Sequence, residues 1–169
     1  MELLEPLMNS DQVVGIAMNG VFIFAASSEF GYDAFFPRAY GNRKTPKAIE
    51  VDICLGTSHT SNTYRYHMFS PCIFDISAKS DVMLCKDDAL CSIDVRNYSI
   101  SLIPPQLQTK LPIGIARDGR IIYGPFKSDG TLWQPCDVDV CNGRRDRQIY
   151  YYVSTMFFPY TVGCWGPGS

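Results

Sequence analysis

Apolar residues in this chain fall into short runs rather than helical stripes, and two of the runs recur. Val14-Gly15-Ile16-Ala17 and Val21-Phe22-Ile23-Phe24 flank a break at Asn19-Gly20. They align without a gap on Ile113-Gly114-Ile115-Ala116 and Arg120-Ile121-Ile122-Tyr123, which flank Asp118-Gly119. Two short apolar runs around Asn-Gly or Asp-Gly predict a β-hairpin, because these dipeptides tolerate the positive φ that a type I′ turn requires. Gly15 and Gly114 interrupt equivalent strands, where a missing side chain predicts a bulge or the close approach of another backbone. Present in both copies, that approach would be the contact between the halves.

A second matched pair follows in the same order. Glu50-Val51-Asp52-Ile53-Cys54-Leu55-Gly56 corresponds to Asp137-Val138-Asp139-Val140-Cys141-Asn142-Gly143. Acidic and β-branched residues alternate in both, as in half-buried strands or extended segments that enter a cysteine loop. Tyr64-Arg65-Tyr66 and Tyr150-Tyr151-Tyr152 come next, each followed by a cysteine, Cys72 and Cys164. Residues 149–158, rich in tyrosine, valine, threonine and phenylalanine, predict a long strand, and residues 64–69 its counterpart. Helical periodicity is confined to residues 2–8 and 81–89 and is weak in both.

Four matched elements in one order predict an internal duplication. The half-repeats span residues 13–72 and 112–164, and residues 73–102 form an insertion without a counterpart. The boundary falls near Ile103, with Pro104, Pro105 and Pro112 marking an extended connector. The chain's 169 residues suit one domain over residues 1–169, so the expected class is mainly β: a single pseudo-symmetric, disulfide-stabilised unit. An apolar fraction of 46% excludes wholesale disorder, and a net charge of -2 without a Lys/Arg stripe argues against nucleic acid as a partner.

Seven cysteines change the picture further, because such usage points to disulfides and an oxidising compartment. The repeat suggests Cys54 with Cys72 and Cys141 with Cys164, and leaves Cys85, Cys91 and Cys136, of which one is an odd thiol. Asn97-Tyr98-Ser99 is a glycosylation sequon. The first residues have neither the basic start nor the apolar core of a secretory signal. No apolar run reaches the about 20 residues that span a bilayer, so a soluble or peripheral protein without a transmembrane segment is expected.

Tyr64-Arg65-Tyr66-His67 resembles the tyrosine-histidine motif of the YHYH domain family. The resemblance continues through residues 114–125 and Cys141-Asn142-Gly143-Arg144, and closes with Phe158-Pro159-Tyr160-Thr161-Val162-Gly163-Cys164. It implies an exported or cell-surface protein of the kind found in microbes, algae or protists, and speaks to fold and location rather than to a reaction. The chain departs from the pattern where Arg65 stands for a histidine and where Tyr151 and Val153 stand for two more. Only His67 remains at a motif position, which weakens any metal role implied by the family.

Three chemistries are candidates. His59 and His67 with Glu50, Asp52 and Cys54 offer imidazole, carboxylate and thiol donors suited to zinc. Asp137, Asp139 and Asn142, with Asp118 nearby, offer hard oxygen donors suited to calcium. Tyr151, Trp133 and Trp165, beside Arg144 and Arg145, would suit carbohydrate or protein recognition, since three successive tyrosines send rings to both faces of a strand. Nucleophilic catalysis lacks a framework, because Ser58 and Ser61 near His59 carry no elbow-like glycine pattern. The leading expectation is an exported structural or adhesive module, such as a repeating subunit of an extracellular layer or filament, that associates with itself or with other surface proteins. A metal-binding protein or metalloenzyme and a carbohydrate-binding module are the alternatives.

Overall fold

The computed structural model describes residues 12–27, 32–38, 42, 47–58, 63–74 and 83–168. His59, Ser61 and the helix candidate at residues 2–8 lie outside them. Among the described residues one sheet of eight strands dominates, built from β1 (Val13–Ala17), β2 (Phe22–Phe24), β3 (Gly56–Thr57), β4 (Arg65–Tyr66), β5 (Pro112–Ala116), β6 (Ile121–Tyr123), β7 (Gly143–Asp146) and β8 (Ile149–Val153). Their order across the sheet is β3-β4-β2-β1-β5-β6-β8-β7. Three disulfides, Cys54–Cys72, Cys85–Cys91 and Cys141–Cys164, tie the loops to it, and Cys136 is free and exposed. Two of these bridges are the ones the repeated segments suggest.

Matched segments occupy matched places. β1 pairs antiparallel with β2 and β5 with β6, while β2 runs parallel to β4 and β6 parallel to β8. The register slips between Val13 and Gly15 in one hairpin and between Pro112 and Gly114 in the other. Antiparallel pairing of β1 with β5 joins the two hairpins, with Gly15 opposite Ala116 and Ala17 opposite Gly114. A Cβ on Gly15 would lie 2.6 Å from the Ile115 carbonyl oxygen, and one on Gly114 would meet that of Ile16. Both glycines therefore allow the central strands to approach, as their interruption of the apolar runs predicts.

The hairpin turns differ from the expected two-residue type. The Gly20 N–H donates to the Ala17 carbonyl at 2.9 Å and the Ala17 N–H to the Val21 carbonyl at 2.8 Å; Gly119, Ala116 and Arg120 repeat the pattern at 2.9 and 2.8 Å. Only the glycines, each at φ 86°, are left-handed. This is a three-residue loop whose last position needs glycine. Asn19 and Asp118 serve through their side chains instead: Asn19 Nδ2 donates to the Tyr66 hydroxyl at 3.0 Å, and the Tyr152 hydroxyl donates to Asp118 Oδ2 at 2.6 Å.

One sheet face carries the main core, where Val14, Ile23, Ile113 and Ile122 pack with Phe69 and Tyr152. A second cluster lies beneath the insertion, around Leu55, Met68, Cys85, Cys91 and Tyr98. The insertion also holds the α-helix missed by the periodicity, α1 (Val95–Ser101), whose N-cap Asp94 accepts the Arg96 N–H at 2.8 Å. In residues 81–89 the described part forms no α-helix but a 3₁₀ turn, Cys85–Asp87. The predicted long strand stops at Val153, because the next segment folds back through the Thr155 N–H to Tyr160 carbonyl bond. Among the described residues no helix is long and apolar enough to cross a membrane.

Candidate functional site

The two cysteine loops share one construction. Asp52 Oδ1 accepts the N–H groups of Cys54 and Gly56 at 2.9 and 3.0 Å, and Asp139 Oδ1 accepts those of Cys141 and Gly143, both at 2.9 Å. Leu55 and Asn142 take the left-handed conformation inside these loops, at φ 61° and 64°. The Tyr64 hydroxyl donates to Asp52 Oδ2 at 2.7 Å and the Tyr150 hydroxyl to Asp139 Oδ2 at 2.8 Å. Each ring lies over the glycine that ends its loop, since a Cβ on Gly56 or Gly143 would collide with Tyr64 or Tyr150. Burial, followed by the hydrogen bond to the aspartate, raises the pKa of both phenols well above the ordinary tyrosine value, and Tyr152 rises to about 12 through burial and its bond to Asp118.

This construction determines where the expected metal donors go. Asp137 ends a 3₁₀ turn, Pro135–Asp137, rather than facing Asp139 along a strand. Its carboxylate is held by Lys127 at 2.9 Å and accepts the Gln134 N–H at 2.8 Å, and the lysine lowers its pKa. Asp139 is committed to its own loop, and the Asn142 amide is fully buried, donating to the Val153 carbonyl at 2.8 Å. His67 is 6% exposed with Nδ1 2.7 Å from the Ala25 carbonyl, an arrangement that makes this nitrogen the donor. Among the described residues no three His, Cys, Asp or Glu side chains gather as a metal set. Each of these residues instead has a partner within the fold, for which the sequence spacing held no signal.

The aromatic expectation needs correction. Tyr150, Tyr151 and Tyr152 are all buried, and Trp133 and Tyr151 form a small core with Val153. The Trp133 indole N–H donates to the Gly124 carbonyl at 3.0 Å, and Trp165 is half-buried against the main core. Both faces of β8 are covered, so neither Trp133 nor Tyr151 offers a stacking platform. Arg65 is 2% exposed with its guanidinium 4.4 Å above the Phe24 ring. In the sequon, Asn97 is exposed on α1, whereas the Ser99 hydroxyl is buried and donates to the Arg96 carbonyl.

What the sheet does leave open is apolar. Phe22, Ile16, Ile115 and Ile121 lie in one cross-strand row, with Ile16 opposite both Phe22 and Ile115, and Ile115 opposite Ile121. Directly paired residues share a face, so the row crosses the four central strands on the side away from the core. These side chains are 43%, 41%, 54% and 41% exposed. The alternation in the hairpins contains this row, but only the bulges decide which residues face out. No family model, curated protein or solved structure matches the chain.

Proposed function

We propose that this protein is an exported, disulfide-stabilised β module that assembles with copies of itself through the central face of its sheet. The observation that carries this reading is the row Phe22, Ile16, Ile115 and Ile121, four large apolar side chains open on one face. A contiguous apolar patch on a protein surface marks an association site. A second copy is the occupant because the row reads the same from either end. Phe22 and Ile16 stand in the first hairpin where Ile121 and Ile115 stand in the second, so one face can meet its own kind with like contacts in both halves.

The matched strand order, registers, turns and cysteine loops support descent of the two halves from one duplicated unit. Three disulfides support an oxidising compartment. The tyrosine-histidine and closing cysteine strings support a distant place in the YHYH family. Self-association of this kind supports a structural or adhesive role, and a layer or filament would need a further contact beyond the closed face-to-face pair.

Sedimentation of the oxidised protein over a concentration series tests the proposal. The expected result is reversible association that Ile16→Glu or Ile115→Glu removes without changing the circular dichroism spectrum. A native protein that stays monomeric at every concentration would sink the reading.

A further inference from the structure

The two cysteine loops, so alike internally, differ in what covers their outer edge. In the first half the insertion lies along it as an extended segment. The Cys85 N–H donates to the Val51 carbonyl at 2.9 Å and the Ile53 N–H to the Met83 carbonyl at 3.2 Å, with Asp52 bridging Leu84 between them. The Tyr98 hydroxyl donates to the Ile53 carbonyl at 2.9 Å. Val51 is consequently 4% exposed.

In the second half the equivalent residues are Val138, Asp139 and Val140, and no described residue stands where Met83–Leu84–Cys85 stand. The Val138 carbonyl and both the N–H and carbonyl of Val140 have no hydrogen-bond partner among the described residues. The Val140 side chain is 72% exposed, where the half-buried Ile53 is its counterpart. Beside the bare edge opens a cavity of about 550 Å³, whose apolar wall includes Pro135, Val138, Phe158, Pro159 and Val162. Of its polar members, Ser27, Asp139 and Asn142, the last two are already bonded within the fold. Arg145 lines the cavity on the other side of the edge and has no ion-pair partner among the described residues; the matching first-half residue is Ser58.

We propose that the edge Val138–Val140 is an acceptor for an extended, acidic peptide segment of a partner protein. The segment adds to the edge as Met83–Leu84–Cys85 add to the first half, through backbone bonds to the Val138 carbonyl and the Val140 N–H. One apolar side chain of the segment fills the cavity, and a carboxylate pairs with Arg145. The first half supplies the hydrogen-bond template, and the guanidinium supplies the charge preference. Main-chain pairing gives such contacts affinity, while a side-chain pocket gives them selectivity. This site is separate from the apolar row, so either can hold while the other fails.

The test uses the intact oxidised protein and a capped peptide, Asp-Val-Met-Leu-Ser-Asp-Asp, patterned on the first-half template. The expected result is saturable amide shifts in NMR at Val138, Val140 and Phe158, with slowed exchange of the Val140 N–H. Val140→Pro deletes the donor and should abolish binding. Val140→Asp, at a side chain already in solvent, leaves the fold intact and should weaken binding at least about tenfold. Arg145→Glu should weaken it about as much, and a peptide with lysines in place of the aspartates should restore binding to that variant. Absence of saturable binding, shifts confined to the central row, or unchanged affinity in Val140→Asp would overturn the proposal.

Discussion

Asp52 and Asp139 each hold a tight loop by accepting two backbone N–H groups and a tyrosine hydroxyl, so one side chain organises the turn, the glycine and the ring above it. Asp139→Ala leaves two partly buried N–H groups and a phenol without an acceptor. We expect a loss of about 2–4 kcal/mol in urea denaturation, with Asp139→Asn losing less because one oxygen remains. The tyrosines add a pH dependence whose sign is fixed by the direction of their shifts. The folded state holds Tyr64, Tyr150 and Tyr152 protonated above their ordinary value of 10.0, so the unfolded chain loses protons first. Their contribution is full below pH 10 and declines as the pH rises through the folded value, about 12 for Tyr152. In alkaline titration, tyrosinate absorbance of these rings should appear together with unfolding; a graded rise in a chain that stays folded would contradict this. At this scale Gly20, Gly119 and the sequence of the cysteine loops were legible. The burial of Trp133 and Tyr151 was not, because it depends on what covers the opposite face of β8.

The element that joins the halves is the β1–β5 pair, and it rests on two residues without side chains. Ile115 and Ile16 carbonyl oxygens occupy the places that a Cβ on Gly15 or Gly114 would need, and both obstacles are backbone. Gly114→Ala therefore has to separate the central strands, at an expected cost of about 3 kcal/mol, read as a lowered midpoint in thermal or urea unfolding. By contrast Ile115→Thr, on the open face opposite Ile16, should stay within about 0.5 kcal/mol of native stability. The hairpins were legible because alternation and a glycine turn are local signals. α1 was not, since its seven residues, Val-Arg-Asn-Tyr-Ser-Ile-Ser, have little intrinsic helix preference. Tertiary contacts stabilise it: Tyr98 packs in the second cluster and bonds to Ile53 across the chain. The segment 149–158 shows the reverse case, strand-forming composition overruled by a backbone that turns after Val153.

At the scale of the whole molecule, a chain of short strands needs covalent ties to hold its loops against the sheet. Cys54–Cys72 and Cys141–Cys164 span 18 and 23 residues, so each contributes about 3 kcal/mol by restricting the unfolded chain. Reduction, which also opens Cys85–Cys91, should lower the thermal midpoint steeply, and Cys141→Ser with Cys164→Ser should reproduce about 40% of that loss; a reduced protein melting like the oxidised one would show that packing alone suffices. The sequence by itself determined the mainly β character, the matched pairs of segments and two of the three bridges, because turns, alternation and cysteine order are written in neighbouring residues. Only the tertiary structure decided which apolar residues face solvent, which carboxylates are spent on backbone N–H groups, and which cysteine loop lies bare. Those outcomes depend on segments distant in the chain, such as the insertion that covers one loop and not the other, and no local pattern records what a remote segment will cover.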